Sequence, residues 1–466
     1  MRHILLGLLV IGCGDGSTSG PTDGNSDGIG DDGGGGEDAE VFVPGHHVEN
    51  PEAHAGGGVG SGEIDGEINV FVTDSASGDP IEGADVRIGA ADAKDPLTGE
   101  TDEDGLVVFQ DPSLSGAQIV TAGAQDYPSA TWFGVGGAVV TIPLESSATP
   151  TVPTATVSGT FTDFDALTPS VPGNFLFAAI SYSTTEDFDA PENDVQGLQG
   201  ANPLNYCLRI PPLLVDPCAW TLVTRTGRMA IYAIVFESDS SGAAFLRGYA
   251  IKRGYDLQAN DNLTNEDLVL IPGSDMIVPP TITYGTTPAA APDVTTLSIL
   301  HVGDEGQIFT VGTDVDPSAT IPDLVGNLAT ATYDIVGTAA DAANGTPQTA
   351  IVARDVDVTM SVDIGQWLGL PENLAETSGE FSFAPVAGAS LHAVSFTDVG
   401  TGDPLWNVVV LDDTDAFMLP DDPWTGDTDM DVTALEVTNF DPEDFVGDSL
   451  ATLLTRTSSA AITFTP

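Results

Sequence analysis

The chain has 466 residues, 41% of them hydrophobic, which gives room for about three domains with apolar cores of their own. Its 70 acidic and 11 basic residues give a formal charge of −59. Such a charge repels phosphate backbones and anionic lipids, so nucleic acid is not an expected partner. The 53 glycines and 32 prolines favour strands and turns over long helices.

The first stretch of the chain has the features of an export signal. A short charged segment precedes an apolar run over residues 4–11, which is far shorter than the roughly 20 residues that a membrane span requires. Val10-Ile11-Gly12-Cys13 resembles the lipobox of bacterial lipoproteins. The resemblance implies a signal peptide over residues 1–12, cleavage before Cys13 and acylation of that cysteine. The alternative is an ordinary secretory signal in which Cys13 is incidental.

Lipidation predicts a location in the bacterial cell envelope, outside the cytoplasm, at the outer membrane or the cell surface. The lipid anchor would then be the only membrane contact. Residues 13–62 are rich in Gly, Asp and Ser, and we expect a disordered tether with an r.m.s. span of about 40 Å.

The acidic excess belongs to the folded part of the chain, because the stretch from Cys13 to Glu63 holds only 11 of the 70 acidic residues. One interpretation is adaptation to saline surroundings, where salt screens the self-repulsion of the protein. The alternative is a general compositional bias toward Asp.

A calcium-loop pattern lies within the tether. Asp23, Asn25, Asp27 and Asp31 have the spacing of the first ligands of such a loop, and the segment resembles the aspartate-rich repeats of thrombospondin type 3. Gly34, however, occupies the position of the bidentate Glu. We therefore prefer a solvated tether with no cofactor, and a weak calcium site is the alternative.

Three histidines also lie in the predicted tether. His46-x-x-Glu49 has the spacing of a metallocarboxypeptidase zinc motif, and His54 follows shortly after it. Because no catalytic domain surrounds the motif, we interpret the spacing as chance. A weak site for adventitious transition metal is the alternative.

Residues 63–146 have the pattern of a β-sandwich. Alternating apolar residues predict a strand over residues 68–72, and Asp104-Gly105 predicts a hairpin turn. The order G-x-P-x-x-G-A-x-V at 78–86, then T-D-x-D-G-x-x-x-F at 101–109, resembles the carboxypeptidase regulatory-like domain. The resemblance implies a seven-stranded, transthyretin-like sandwich that serves as an adhesive, spacer or glycan-contacting module. We interpret the acidic residues at 102–104 as a solvated turn.

Residues 155–280 form a second predicted β-sandwich. Cys207 and Cys218 are an even pair in an exported chain, and we expect them to form a disulfide across a Pro-rich loop. The unit also contains most of the positive charge, at Arg209, Arg225, Arg228, Arg247, Lys252 and Arg253. Local pairing with nearby carboxylates is the preferred interpretation, and an anion or acidic-sugar pocket is the alternative.

Residues 279–292 are predicted to be a Pro-rich linker. Residues 293–466 are predicted to form one sandwich, or two that are divided near residue 376. Perfect alternation predicts an antiparallel strand over residues 355–364, and a short helix is expected within 365–377. Asp427, Asp429 and Asp431 lie in a dense acidic run. We interpret this run as loop surface, with a cation site as the alternative.

These observations together predict an all-β protein of tandem antiparallel sandwiches, Ig-like or transthyretin-like, behind a tether. In the folded part only His301 and His392 are available as bases, and neither lies in a catalytic motif. We therefore expect a non-catalytic protein with a binding, adhesion or structural role toward a glycan or an envelope protein. The alternatives are a secreted glycan- or peptide-active enzyme and the accessory lipoprotein of an uptake or secretion complex.

Overall fold

The computed structural model describes residues 42–146, 152–185, 206–210, 213–214, 218–239, 244–309, 320–341, 343, 346–421, 424 and 426–465. Strands dominate this part of the chain, and its one α-helix is α1, Gly447–Leu453. The prediction of an all-β protein with antiparallel sandwiches is confirmed. Among the described residues no helix is long and apolar enough to cross a membrane. The predicted signal peptide lies outside them.

The first unit is a sandwich of two sheets, with strand order β1-β8-β2-β5 in one and β4-β3-β6-β7 in the other. Its strands are β1 Gly58–Glu63, β2 Asp65–Asp74, β3 Asp85–Ile88, β4 Leu97–Glu100, β5 Leu106–Ser115, β6 Gln118–Gly123, β7 Ser129–Val135 and β8 Gly137–Leu144. The predicted alternation is present, because Ile68, Val70 and Val72 are fully buried.

The predicted hairpin at Asp104-Gly105 is wrong. β4 pairs with β3 and β5 pairs with β2, so the turn between them crosses from one sheet to the other. A carboxylate oxygen of Asp102 accepts hydrogen bonds from the backbone N–H groups of Asp104 and Leu106, both at 3.0 Å. An Asx turn of this kind stabilises a tight corner whether or not the flanking strands pair.

The predicted tether ends earlier than residue 62. Strand β1 begins at Gly58, and residues 44–57 hydrogen-bond to the first unit through contacts such as His46 N to Asp65 O at 2.9 Å. The Gly-rich composition indicated disorder, but glycine also permits close backbone approach. The prediction is therefore wrong for the last part of residues 13–62.

The second unit is a sandwich of two further sheets. Its strands are β9 Thr154–Thr162, β10 Phe175–Tyr182, β11 Tyr206–Ile210, β12 Leu213–Leu214, β13 Cys218–Arg225, β14 Gly227–Ser238, β15 Ala244–Leu257, β16 Asn262–Leu263 and β17 Leu268–Val269. One sheet has the order β12-β11-β10-β14-β15, and the other contains β13, β9, β16 and β17. The predicted disulfide is formed. It joins Cys207 on β11 to Cys218 on β13, with their Cα atoms 5.8 Å apart, and so links the two sheets beside the buried Trp220.

The remaining strands run from residue 276 to residue 464. They are β18 Met276–Ile277, β19 Ile282–Thr283, β20 Asp293–His301, β21 Gln307–Phe309, β22 Ile321–Pro322, β23 Thr332–Ala340, β24 Gln348–Ala353, β25 Val362–Asp363, β26 Glu372–Thr377, β27 Glu380–Ala384, β28 Leu391–Asp398, β29 Pro404–Val410, β30 Ala416–Met418, β31 Thr428–Val437, β32 Phe445–Val446 and β33 Leu454–Phe464. β33 pairs with both β24 and β31. One sheet therefore contains strands from both sides of residue 376, where a division into two sandwiches was the alternative.

The predicted strand over residues 355–364 is wrong, since only Val362–Asp363 is a strand there. Asp357 accepts hydrogen bonds from the backbone N–H and the hydroxyl of Thr359, and Asp355 has a φ of 51°. Side-chain hydrogen bonds to the local backbone favour turns, and here they override the apolar alternation.

The helix expected within residues 365–377 is also absent, because this described stretch is extended and ends in β26. The predicted linker over residues 279–292 is partly a strand, since β19 pairs in parallel with β25. The indole N–H of Trp367 donates to the carbonyl oxygen of Gly285 at 3.0 Å and holds the same segment.

The first unit and the C-terminal part share a sheet and a core. β7 pairs in parallel with β29, from Ser129 opposite Trp406 to Phe133 opposite Val410. In the described residues this pairing completes a sheet of twelve strands, in the order β21-β20-β23-β24-β33-β31-β28-β29-β7-β6-β3-β4. The core of the first unit also contains Phe445 of β32, whose ring stacks on that of Trp132. Residues 63–146 and 293–466 are therefore not independent bodies.

His392 on β28 makes the stability of this body depend on pH. Burial lowers the pKa of His392 to about 4, and its Nε2 accepts a hydrogen bond from the backbone N–H of Val386 at 3.0 Å. Because the unfolded histidine has a pKa of about 6.5, the unfolded chain binds more protons between pH 6.5 and 4.

We expect the free energy of unfolding to be unaffected by His392 above about pH 6.5 and to fall by up to about 3 kcal/mol on acidification to pH 4. The variant His392→Gln keeps an acceptor near Val386 and should lose this component of the pH dependence. Urea unfolding of both proteins from pH 7.5 to pH 4 measures the difference. Parallel pH profiles of the two proteins would contradict the assignment.

Candidate functional site

A cluster of buried charge lies where the second unit meets the C-terminal part of the chain, from residue 276 onward, which we call the third unit. Arg253 on β15 donates from Nε to Glu305 at 2.7 Å, and its exposed fraction is 17% against 7% for Glu305. The same guanidinium donates to the carbonyl oxygens of Val302 at 2.7 Å and Asn327 at 3.0 Å. Arg253 thus binds the Gly303–Glu305 turn of the third unit through charge and backbone together.

Further contacts fix this turn in place. The hydroxyl of Ser183 donates to the carbonyl oxygen of Glu305, and Arg228 pairs with Asp304 at the exposed edge. Thr184 and Gln307 form a two-way backbone bridge, at 3.0 and 2.8 Å. The turn therefore lies in a socket of the second unit that combines a buried ion pair with backbone pairing.

Arg225 is buried at the base of the socket. Its guanidinium donates to the carbonyl oxygens of Arg228 at 2.8 Å, Thr226 at 3.0 Å and Ser183 at 3.4 Å. Carbonyl oxygens satisfy its donors, so this side chain is built into the fold and is not directed at a ligand.

A second buried carboxylate, Glu237 on β14, lies elsewhere in the second unit. Burial alone would raise the pKa of Glu237, but hydrogen bonds from Ser170, Asn174 and the backbone of Val171 together lower it to about 2. Arg247 pairs with the same carboxylate. Glu237 is therefore an ionised structural anchor for residues 170–174.

The remaining described cation of this cluster, Lys252, is also paired. Its Nζ lies 2.6 Å from Glu266, which also accepts a hydrogen bond from Tyr255 at 3.1 Å. Four of these side chains pair with nearby carboxylates, as the local-pairing interpretation predicts, namely Arg228, Arg247, Lys252 and Arg253. Arg225 bonds to carbonyl oxygens instead. The side chain of Arg209 lies outside the described part.

The histidines before β1 contact the first unit. His47 Nδ1 lies 2.8 Å from a carboxylate oxygen of the buried Glu67, and His46 Nδ1 lies 2.7 Å from the carbonyl oxygen of Glu63. Burial alone would raise the pKa of Glu67, but hydrogen bonds from His47, Gln110 and Asn69 lower it. His46 is therefore engaged in packing, and Glu49 is exposed to solvent.

Among the described residues, no three or more His, Cys, Asp or Glu side chains are grouped to hold a metal ion. The candidate calcium ligands Asp23, Asn25, Asp27 and Asp31, and the lipidation site Cys13, lie outside the described part of the chain.

In the acidic run before the C-terminus, Asp427 lies outside any strand, as the loop interpretation predicts, and only the end of the run is strand. Asp429 and Asp431 belong to β31. Asp429 accepts a hydrogen bond from Thr463 at 2.5 Å, and Asp427 accepts one from Thr465 at 2.6 Å. Residues two apart on a strand share a face but lie about 7 Å apart, so their carboxylates do not converge as a calcium loop requires.

The buried carboxylates Glu67, Glu237 and Glu305 were not identified from the sequence. Glu67 and Glu237 each lie in a strand with apolar neighbours, where a charged residue is costly unless it is paired. That position in an apolar strand is the signal that could have identified two of them. Glu305 lies in a turn, and no local pattern distinguishes it from an exposed acid.

No protein-family model and no curated protein matches the sequence. Solved structures give weak matches. Fervidolysin from Fervidobacterium pennivorans is 12% identical over 43% of this chain and 31% of its own, with a TM-score of 0.15. Shaft pilin SpaA from Lactobacillus rhamnosus GG is 13% identical over 44% of this chain and 98% of its own, with a TM-score of 0.14.

The minor pilin GBS52 from Streptococcus agalactiae is 8% identical over 44% of this chain and 96% of its own, at a TM-score of 0.14. Identities and TM-scores this low support no statement about function.

The two ion pairs of the socket should differ in their contribution to stability. Removing Arg253 leaves Glu305 buried without its cation, and we expect Arg253→Met to lower the free energy of unfolding by about 3–5 kcal/mol. Arg228→Met is the matched control, since both partners of its pair are largely exposed, and it should cost less than about 1 kcal/mol. Chemical denaturation measures both. Equal losses would show that burial does not determine the strength of the socket.

Proposed function

We propose that this chain is a lipid-anchored, non-catalytic protein of the bacterial cell envelope with a structural or binding role. The anchor is assigned from the lipobox-like stretch that ends at Cys13. The body it would carry consists of β-sandwiches that present their outer faces and loops to other envelope components.

One observation carries the structural role: the units are joined by secondary structure and buried charge, in addition to linkers. The pairing of β7 with β29 continues a sheet from the first unit into the C-terminal part. The pair between Arg253 and Glu305 joins the second unit to the third. A fixed arrangement of modules supports a role in spacing or display, for which freely jointed domains are poorly suited.

The charge of the chain defines the class of partner. With a formal charge of −59, the surface repels phosphates and acidic polymers at low salt. We therefore propose neutral glycans or envelope proteins with basic surfaces as partners. The acidic turns at residues 102–104 and 412–413 are exposed and would face such a partner.

Substitution of the proposed acylation site tests the anchor. Cys13→Ser should leave the chain unlipidated and move it from the membrane fraction to the soluble fraction. Metabolic labelling with palmitate followed by fractionation measures both effects. Substitution of Cys207 or Cys218 by Ser would break the disulfide and destabilise the protein. Those variants are unsuitable as controls, so Cys13→Ser is compared with the parent chain.

Persistent membrane association of Cys13→Ser, together with unlabelled parent protein, would refute the lipid anchor. The released Cys13→Ser protein also serves as a soluble probe on a glycan array and on isolated cell envelopes. Hydrolysis of glycans or peptides by this probe would refute the non-catalytic role.

A further inference from the structure

Residues 42–63 attach to the first unit along most of their length. We call this segment the strap. Its backbone N–H groups at His46 and His54 donate to the carbonyl oxygen of Asp65 at 2.9 Å and to the hydroxyl of Thr141 at 2.8 Å. Strand β1 then pairs antiparallel with β8, from Gly58 opposite Thr141 to Glu63 opposite Gly137.

The opposite edge of the strap holds the C-terminal part of the chain. Gly58 pairs with Val446 and Val59 pairs with Phe445 on β32. Beyond β32, the backbone N–H groups of Gly447 and Asp448 donate to the carbonyl oxygens of Gly57 at 2.6 Å and Ala55 at 3.2 Å. In the described residues β32 has no other strand partner, so the strap alone connects it to the sheet of the first unit.

The glycines of the strap are required by these close approaches. Gly58 has a φ of 149°, and a methyl group there would overlap the carbonyl oxygen of Phe445. At Gly57, a methyl carbon would come within 2.7 Å of the ring of Pro143. Side-chain carbons do not approach other atoms within 3.0 Å in real proteins. The glycines of the strap, whose composition is typical of a flexible linker, therefore permit tight packing.

The strap buries both apolar and polar groups. Val59 is fully buried in the core that contains Phe445 and Leu450 of the C-terminal part. His54 lies beside Gly60 and faces Asp444, and burial lowers the pKa of His54 while Asp444 partly opposes the shift. Docking of the strap therefore couples the N-terminal segment to the first unit and to the C-terminal part at the same time.

We infer that the strap is a fastening device that clamps β32 and the N-terminal end of helix α1 onto the first unit. Under the proposed function, on which this reading of the load rests, a pull from the anchor would reach the strap before β8 or β32. The fastening itself is a property of the fold and is independent of lipidation.

Hydrogen–deuterium exchange of the full chain carrying Cys13→Ser tests the fastening. Gly58→Ala should displace the strap, and we expect amide exchange over residues 445–448 to accelerate at least about tenfold, since the substitution combines backbone strain with a clash. Exchange over residues 220–222 of β13, which lie in the second unit outside this body, should remain as in the parent.

Gly116→Ala is the matched control. Gly116 also has a positive φ, 63°, but its added methyl group would meet nothing within 4 Å. This control should leave exchange over residues 445–448 unchanged. If Gly58→Ala does not fold, Thr141→Val decides, because it removes only the acceptor for His54 N and should accelerate the same amides severalfold.

Two results would overturn the inference. One is unchanged exchange over residues 445–448 in both Gly58→Ala and Thr141→Val, because β32 would then be held without the strap. The other is equal acceleration over residues 220–222, because the substitution would then act on the whole chain and not through the strap. Retention of Cys13→Ser in membranes would refute the proposed anchor and leave the exchange result standing.

Discussion

The structure depends on the parallel pairing of β7 with β29. Parallel strands require a long crossover, and here the connection includes the whole second unit and most of the third. The ladder is supported from within, since the buried indole of Trp406 donates to the hydroxyl of Thr131 at 3.1 Å and Thr131 in turn bonds to Thr121 at 3.0 Å. Together with the pairing of β1 with β32, this contact joins the first unit and the C-terminal part into one body.

The scarcity of basic residues makes their placement informative. A chain with 11 basic and 70 acidic residues leaves most carboxylates to solvent. Arg253 and Arg247 instead neutralise buried carboxylates, Glu305 and Glu237, where an unpaired charge would cost several kcal/mol. These basic side chains therefore mainly neutralise buried carboxylates within the protein. This favours a structural role for the basic cluster of the second unit over an anion pocket.

Local patterns predicted the local elements. The apolar alternation of β2 and the disulfide of the second unit required only neighbours in sequence. The wrong predictions have a common cause. The composition of a segment does not show which other segment it packs against. The Gly-rich strap packs because β32 and β8 flank it, and the alternating stretch at Asp355 turns because Asp side chains bond to the local backbone. The socket at Glu305 depends on contacts between units that no periodicity encodes.

The central claim is that the first unit and the C-terminal part fold as one body. Native-state hydrogen exchange of the parent protein across a denaturant series tests it, because amides of one cooperative unit share a single opening free energy. In a single body, amides of β2 and β8 merge with those of β28 and β31 on one isotherm. Separate isotherms, with the first unit opening while β28 and β31 stay protected, would contradict it.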